Sequence, residues 1–345
     1  MSTFRSLSML ERIYEKMKIT ISKDRSTSLK GLLICLVVLG HNKYFTSTFS
    51  LGCQEWLYCF HVSTFFILPF FYDEHMFSWS RIGLYFKRLI WPYSYMFVLL
   101  FLSNLFLYKE GDIDVGLLDT FLTGNFYTLR SYVGFQYLWF LPAMFSMLVF
   151  KDIVSSANCK LNVMIIAISI ILFIVFWVFL YRCPYDKTIN LMLAKFSVFS
   201  FMLGLAMMFL GLLTKKILEW KTPPFALTAT FMCLCLIMIV ATENSSKHNV
   251  VCWFCRAICP IIGFSCLFNF NWERFSILKE FGKYSLPIYL FHQPMNAIAH
   301  IASQKFDMCN FLSLLLTYCL VLLLSYFLSK LIYSQERIKN FLFPR

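Results

Sequence analysis

Four histidines stand among apolar residues in this sequence, where an imidazole is a base within reach of a buried proton. His41 closes the run SLKGLLICLVVLGH, His61 lies in FHVSTFF, and His292 and His300 share the stretch that follows Phe281. An ionisable group inside a membrane-spanning helix costs about 2.5–3.5 kcal/mol at its centre on insertion scales, so each is a functional candidate. Imidazole is the side chain that can be neutral and basic near neutral pH, which suits abstraction of a proton from a hydroxyl. His41 falls in the outer half of the first apolar run and His61 near the outer end of the second. His292 falls about midway along the ninth, with His300 two turns further out. Three or four imidazoles at similar depth could therefore converge on one cavity. The plainer role for His300 is helix packing.

Lys30 precedes His41 by eleven positions. At 1.5 Å per residue a helix carries them about 16 Å apart, roughly half the hydrocarbon thickness. One helix would thus hold a cation at the cytoplasmic interface and a base deep in the membrane. That geometry suits a donor whose phosphates stay at the interface while its reactive end reaches inward. Taken alone, Lys30 reads equally well as a snorkelling interfacial residue.

The elements that must position these residues follow from composition. Of 345 residues, 59% are hydrophobic and only 14% charged, with 40 Phe, 18 Tyr and 8 Trp, and the mean hydropathy is +0.67. A soluble domain carries about 25% charged residues. The chain therefore reads as an all-α, polytopic membrane helical bundle of a single domain, 1–345. Ten apolar segments have the length to span a bilayer: 29–47, 56–72, 89–107, 132–150, 161–181, 190–213, 225–242, 250–270, 284–303 and 310–332. Pro92 and the Pro223–Pro224 pair suit helix starts, and the segments around Pro142 and Pro287 should kink or start late.

The formal net charge is +13, yet the basic residues lie between apolar stretches rather than in one patch, so no nucleic acid is expected. With the N-terminus cytoplasmic, 22 of the 31 Lys and Arg fall on the cytoplasmic side and seven on the other. That bias satisfies the positive-inside rule, and an even number of spans returns the C-terminus to the cytoplasm. The charged first 25 residues and the lack of a small-residue site predict no cleaved leader. Instead Phe4, Leu7, Leu10, Ile13, Tyr14 and Met17 recur at helical spacing, so residues 1–28 read as a cytoplasmic, interfacial segment against membrane lipid. Of the 13 Cys, most lie in apolar runs as small hydrophobes. Cys252, Cys255 and Cys259 have no second pair, so no metal site is expected.

The stretch SLKGLLICLVVLGHN (28–42) resembles the opening helix of the acyltransferase 3 family of bacterial membrane O-acyltransferases: a basic residue, ten apolar or small residues, then His. FHVSTFF (60–66) is similar to the family's second-helix element. YFKRLIWPYSY (85–95) is similar to its Arg-rich loop and the Pro-Tyr start of helix three. YLWFLPA (137–143) resembles its aromatic Leu-Trp-Phe-Leu segment, and FGKYSLPIYLFHQP (281–294) its late signature. Five such motifs occur in the family's order, and the ten spans cover nearly the whole chain.

The resemblance implies that His41 is the catalytic histidine. It places Lys30 at the usual arginine position and Arg88 at the basic loop residue that helps hold donor phosphate. His61, Trp139, Tyr289 and His292 become candidates for orienting the acceptor or donating to a tetrahedral oxyanion. The implied reaction moves an acyl group, usually acetyl, from acyl-CoA to a hydroxyl of a cell-surface polysaccharide or its lipid-linked precursor, at the bacterial inner membrane. Acetyl-CoA is then a substrate, and no bound cofactor is expected. Transfer could be direct or pass through an acetyl-imidazole. The acidic loop with Glu110, Asp112, Asp114 and Asp119 beside aromatics could meet the acceptor from outside, or simply be a solvated loop.

Three departures mark a divergent branch. Lys30 lacks the bidentate fork of arginine, Pro69-Phe70 replaces a Ser-Gly, and Asn42 follows His41 with no carboxylate within a helical turn. The competing reading is a multi-pass transporter or flippase of a glycolipid or anionic solute. The inverted repeats and paired interrupted helices common in such folds are not evident.

Overall fold

The computed structural model describes residues 20–72, 76–108, 120–122, 124, 129, 135, 137–156, 159–182, 199–219, 223–244, 250–304 and 310–344. The expected amphipathic helix of the first residues, most of the acidic loop and Lys195 lie outside these. Among the described residues there is no strand, and ten helices reach 17 residues or more. They are α1 (Lys23–Gly40), α3 (Leu51–Ile67), α5 (Trp91–Tyr108), α6 (Phe140–Ser156), α7 (Cys159–Arg182), α8 (Phe199–Glu219), α9 (Pro224–Asn244), α10 (Val250–Asn269), α12 (Ser285–Ser303) and α13 (Asn310–Ser334). Shorter helices join them: α2 (Phe45–Thr48), α4 (Trp79–Tyr85), α11 (Ser276–Lys283) and α14 (Glu336–Leu342). Each apolar segment foreseen from sequence thus overlaps one long helix. Among the described residues, two windows, Pro224–Ala241 and Asn310–Ser334, are long and apolar enough to cross a membrane by length and composition alone.

The helix ends depart from hydropathy where local chemistry decides. α1 starts at Lys23 rather than 29, because Ser22 caps it by accepting from the Arg25 N–H at 3.2 Å and Asp24 sits in the first turn. It stops at Gly40 rather than 47, because the Asn42 carboxamide oxygen accepts from the Tyr44 N–H at 2.9 Å in an Asx turn. Asn42 Nδ2 donates to Thr317 Oγ1 at 2.8 Å, so this buried amide is paired on both sides. Ser50 likewise starts α3 early by capping the Cys53 N–H. α6 starts late, at Phe140, with Pro142 in its first turn.

α1 is the axis of the packing. Leu29 and Leu33 on one side join Phe66, Phe71, Met147 and Met208 in one core cluster. Ile34, Val37 and Val38 on another side join Tyr93, Tyr137, Leu141 and Ile288 in a second. A third side is pressed against α11. A Cβ on Gly31 would collide with the Leu278 carbonyl, and one on Gly282 with the Thr27 carbonyl. Away from α1 the helices turn large apolar residues outward, among them Val163, Ile171, Phe225 and Leu331. Residues that would seek an interior in water are left facing out, as a lipid-facing surface requires. Cys35, Cys53, Cys233, Cys235, Cys255, Cys259, Cys266 and Cys319 form no disulfide.

Candidate functional site

Eleven helical residues turn through about 1100°, or about 20° past three full turns. Lys30 and His41 therefore lie on one stripe of α1, with Ile34 and Val37 between them at steps of four, three and four. This stripe forms one wall of a cavity of about 170 Å³. Lys30 stands at one end and His41 at the other. Trp139 and Tyr289 also line it, with Tyr137 and Phe140 beside them. The Lys30 ammonium sits 5.7 Å from the centre of the Tyr72 ring, and the Trp139 ring stacks on Phe66 with centroids 6.3 Å apart.

His41 is the first residue beyond α1. Its N–H still bonds the Val37 carbonyl at 3.1 Å, while φ −87° and ψ 0° carry the chain out of the helix. Asn296 Nδ2 donates to its carbonyl at 2.6 Å. Tyr58 Oη stands 3.2 Å from its Nδ1 and 3.0 Å from the Gly40 carbonyl oxygen.

Two further imidazoles surround it. The His292 ring centre is 5.1 Å from that of His41 and 5.2 Å from that of Tyr137. Its Nδ1 lies 2.5 Å from the Tyr289 carbonyl oxygen. His61 Nδ1 is bonded in the same way to the Leu57 carbonyl. A carbonyl can only accept, so both rings carry their proton on Nδ1. Their Nε2 atoms are buried with no partner among the described residues. Such acceptors are expensive to leave bare and are a place where a hydroxyl or a water would be held.

Of the residues singled out from sequence, the structure thus brings Lys30, His41, Trp139 and Tyr289 to one cavity, with His61 and His292 buried beside its inner end. Arg88 is not among the lining residues. It is exposed on a π-helical turn, Phe86–Ile90, whose next residue, Leu89, lines the cavity instead. His300 stands apart, its ring 5.4 Å from Tyr44 and its Nε2 3.2 Å from Gln304 Nε2.

Several contributors escaped the sequence reading. Pro294 lies inside α12 and has no N–H for the Leu290 carbonyl. Tyr137 fills that gap, donating from Oη to Leu290 O at 2.9 Å, and so ties the aromatic segment to the late signature helix. A proline four residues after a buried carbonyl is the signal that would have exposed it. Tyr58, one turn before His61, and Asn296, one turn after His292, carried only spacing as a hint. On α4, Arg81 Nε and Tyr85 Oη both donate to Asp152 Oδ2 at 2.8 Å. Burial and the Asp152 carboxylate push the Tyr85 phenol up to about 12. This network pins the basic turn to α6. Among the described residues no group of three His, Cys, Asp or Glu is placed to hold a metal ion.

Comparison with protein families shows a match to the acyltransferase 3 model, described as an acyltransferase domain, over residues 26–333. Neither curated proteins nor solved structures yield a significant match.

Proposed function

Since the chain belongs to the acyltransferase 3 family, and is in general terms a membrane acyltransferase, we propose that it is a multi-pass O-acetyltransferase of the bacterial inner membrane. It moves acetyl from acetyl-CoA to a hydroxyl of a cell-surface polysaccharide or its lipid-linked precursor. The observation that carries this reading is the single stripe of α1 that puts a cation and an imidazole at opposite ends of one apolar cavity. All ten long helices cross the membrane in this proposal, with both chain ends in the cytoplasm, as the positive-inside bias favours.

The donor phosphates dock at Lys30, with Arg88 guiding them from the exposed basic turn. A lysine supplies a point charge there rather than a fork. The thioester extends along the stripe toward His41. The His41 imidazole takes the proton of the acceptor hydroxyl as its oxygen attacks the thioester carbonyl. Trp139 and Tyr289 flank the reacting carbon from the facing wall and exclude water. When the tetrahedral intermediate collapses, the C–S bond breaks and the leaving CoA thiolate takes the proton back from His41. His61 and His292 offer buried acceptors to a neighbouring hydroxyl of the sugar. The apolar lining between the two ends suits the uncharged arm of the donor.

Purified protein in lipid nanodiscs, with labelled acetyl-CoA and a polysaccharide or lipid-linked acceptor, tests the assignment. His41→Gln should lower kcat by about 10²–10⁴-fold, the range typical of a lost general base. Folded His41→Gln protein that transfers acetyl at the wild-type rate would remove His41 from the chemistry.

A further inference from the structure

We propose that Tyr58 is the positioning residue of His41: it holds the imidazole with its proton on Nδ1 and leaves Nε2 as the lone pair that works in the cavity. The inference rests on the reading of His41 as the base, and it names the atom through which that base acts.

The argument runs through hydrogen counting. Tyr58 Oη is 3.0 Å from the Gly40 carbonyl oxygen and 3.2 Å from His41 Nδ1. The carbonyl has no hydrogen to give, so the phenol proton points to Gly40. With that proton committed, the phenol oxygen meets Nδ1 as an acceptor, and Nδ1 must carry the hydrogen. The tautomer of a histidine is set by the hydrogen bond that its other nitrogen makes, so Nε2 is left unprotonated.

The same bond serves the backbone. Gly40 ends α1, and the last carbonyls of a helix have no partner within it. Tyr58 supplies one from α3, joining a helix-end requirement to the orientation of the next side chain. The rings meet edge to face at 82° with centroids 5.4 Å apart, which blocks rotation of the imidazole away from the cavity. Asn296 holds the other side of the residue through its carbonyl. The sequence offers no carboxylate within a helical turn of His41, and a phenol on a neighbouring helix fills that place. Tyr58 does not line the cavity, so it acts through His41 and not on substrate.

The test uses full-length protein in nanodiscs, labelled with ¹⁵N-histidine, with the His41 signals assigned by their loss in His41→Gln. Wild type should show His41 protonated on Nδ1, and Tyr58→Phe should shift it toward the Nε2-protonated form. Tyr58→Phe keeps the ring and its contact. It should lower kcat by about 10–100-fold, the size typical when the outer partner of a working imidazole is lost, while KM for acetyl-CoA stays unchanged. A wild-type His41 protonated on Nε2 overturns the proposal. So does a Tyr58→Phe protein whose nitrogen spectrum or kcat is unchanged. Full activity in His41→Gln would instead overturn the assignment of the base, while the nitrogen spectrum, which needs no substrate, would still judge Tyr58.

Discussion

Lys30 lines a cavity walled mostly by apolar and aromatic side chains, and its proposed duty needs charge rather than shape. Removing one charge-assisted contact costs roughly 1.5–3 kcal/mol, and each 1.4 kcal/mol is a factor of about ten in affinity. Lys30→Ala should therefore raise KM for acetyl-CoA by about tenfold or more while kcat changes little. Lys30→Arg should leave KM equal or lower, because the fork adds a second contact to phosphate. A steady-state titration of acetyl-CoA checks both, and an unchanged KM in Lys30→Ala takes the residue out of the site. At this scale the sequence was readable where a polar residue was rare in its surroundings. Lys30, His41 and His292 stand out because little else near them is charged or basic. Tyr58, Tyr137 and Asn296 did not, since their importance lies in hydrogen bonds to backbone carbonyls of other helices, and nothing in their own neighbourhood announces those partners.

The helix that carries the stripe is held at its N-terminal half by a short amphipathic helix. Gly31 on α1 and Gly282 on α11 face each other with backbone where side chains would stand. This explains physically why Lys-Gly and Phe-Gly-Lys recur in two distant motifs: the glycines let α11 seat α1, and Lys30 is fixed as a result. The nearby ion pair of Lys279 with Asp24 at 2.6 Å is exposed and adds little. A methyl group on Gly31 or Gly282 meets a carbonyl that cannot swing aside. Gly31→Ala should destabilise by about 1–3 kcal/mol, the cost of overpacking a tight contact, and lower the thermal midpoint in detergent. Gly83→Ala, with open space at its Cβ inside α4, should hold or slightly raise that midpoint, because alanine is the better helix former, and serves as the control. An equal midpoint for Gly31→Ala and wild type would contradict the close contact. The existence of the long helices was legible from apolar runs, because twenty such residues leave few alternatives. Their ends were not, since Ser22, Asn42 and Ser50 decide them through single hydrogen bonds that hydropathy does not register.

For the molecule as a whole, the charge distribution and the cavity make one joint prediction about sidedness. Lys30 lies on α1 ahead of His41, and the segment before α1 carries Arg5, Arg12, Lys16 and Lys18 against Glu11 and Glu15. If that segment lies in the cytoplasm, the Lys30 end of the cavity opens toward the compartment that holds CoA thioesters, and His41 lies about 16 Å deeper along the helix axis. Acetyl then has to travel inward from one face only. Sealed vesicles of known orientation distinguish the sides. Inside-out vesicles supplied with labelled acetyl-CoA should transfer label to an endogenous acceptor, and sealed right-side-out vesicles should not until they are permeabilised. Removing charge should disturb this by a separate route. Replacing the basic residues before Ser22 with neutral ones weakens the positive-inside signal, so a fraction of molecules should insert inverted, and activity in inside-out vesicles should fall in proportion to that fraction. A reporter at the C-terminus measures the inverted fraction independently, because an even number of crossings keeps both ends together. Equal activity in the two sealed preparations would reject a cytoplasmic donor entrance. Ends on opposite sides would reject the ten-span count.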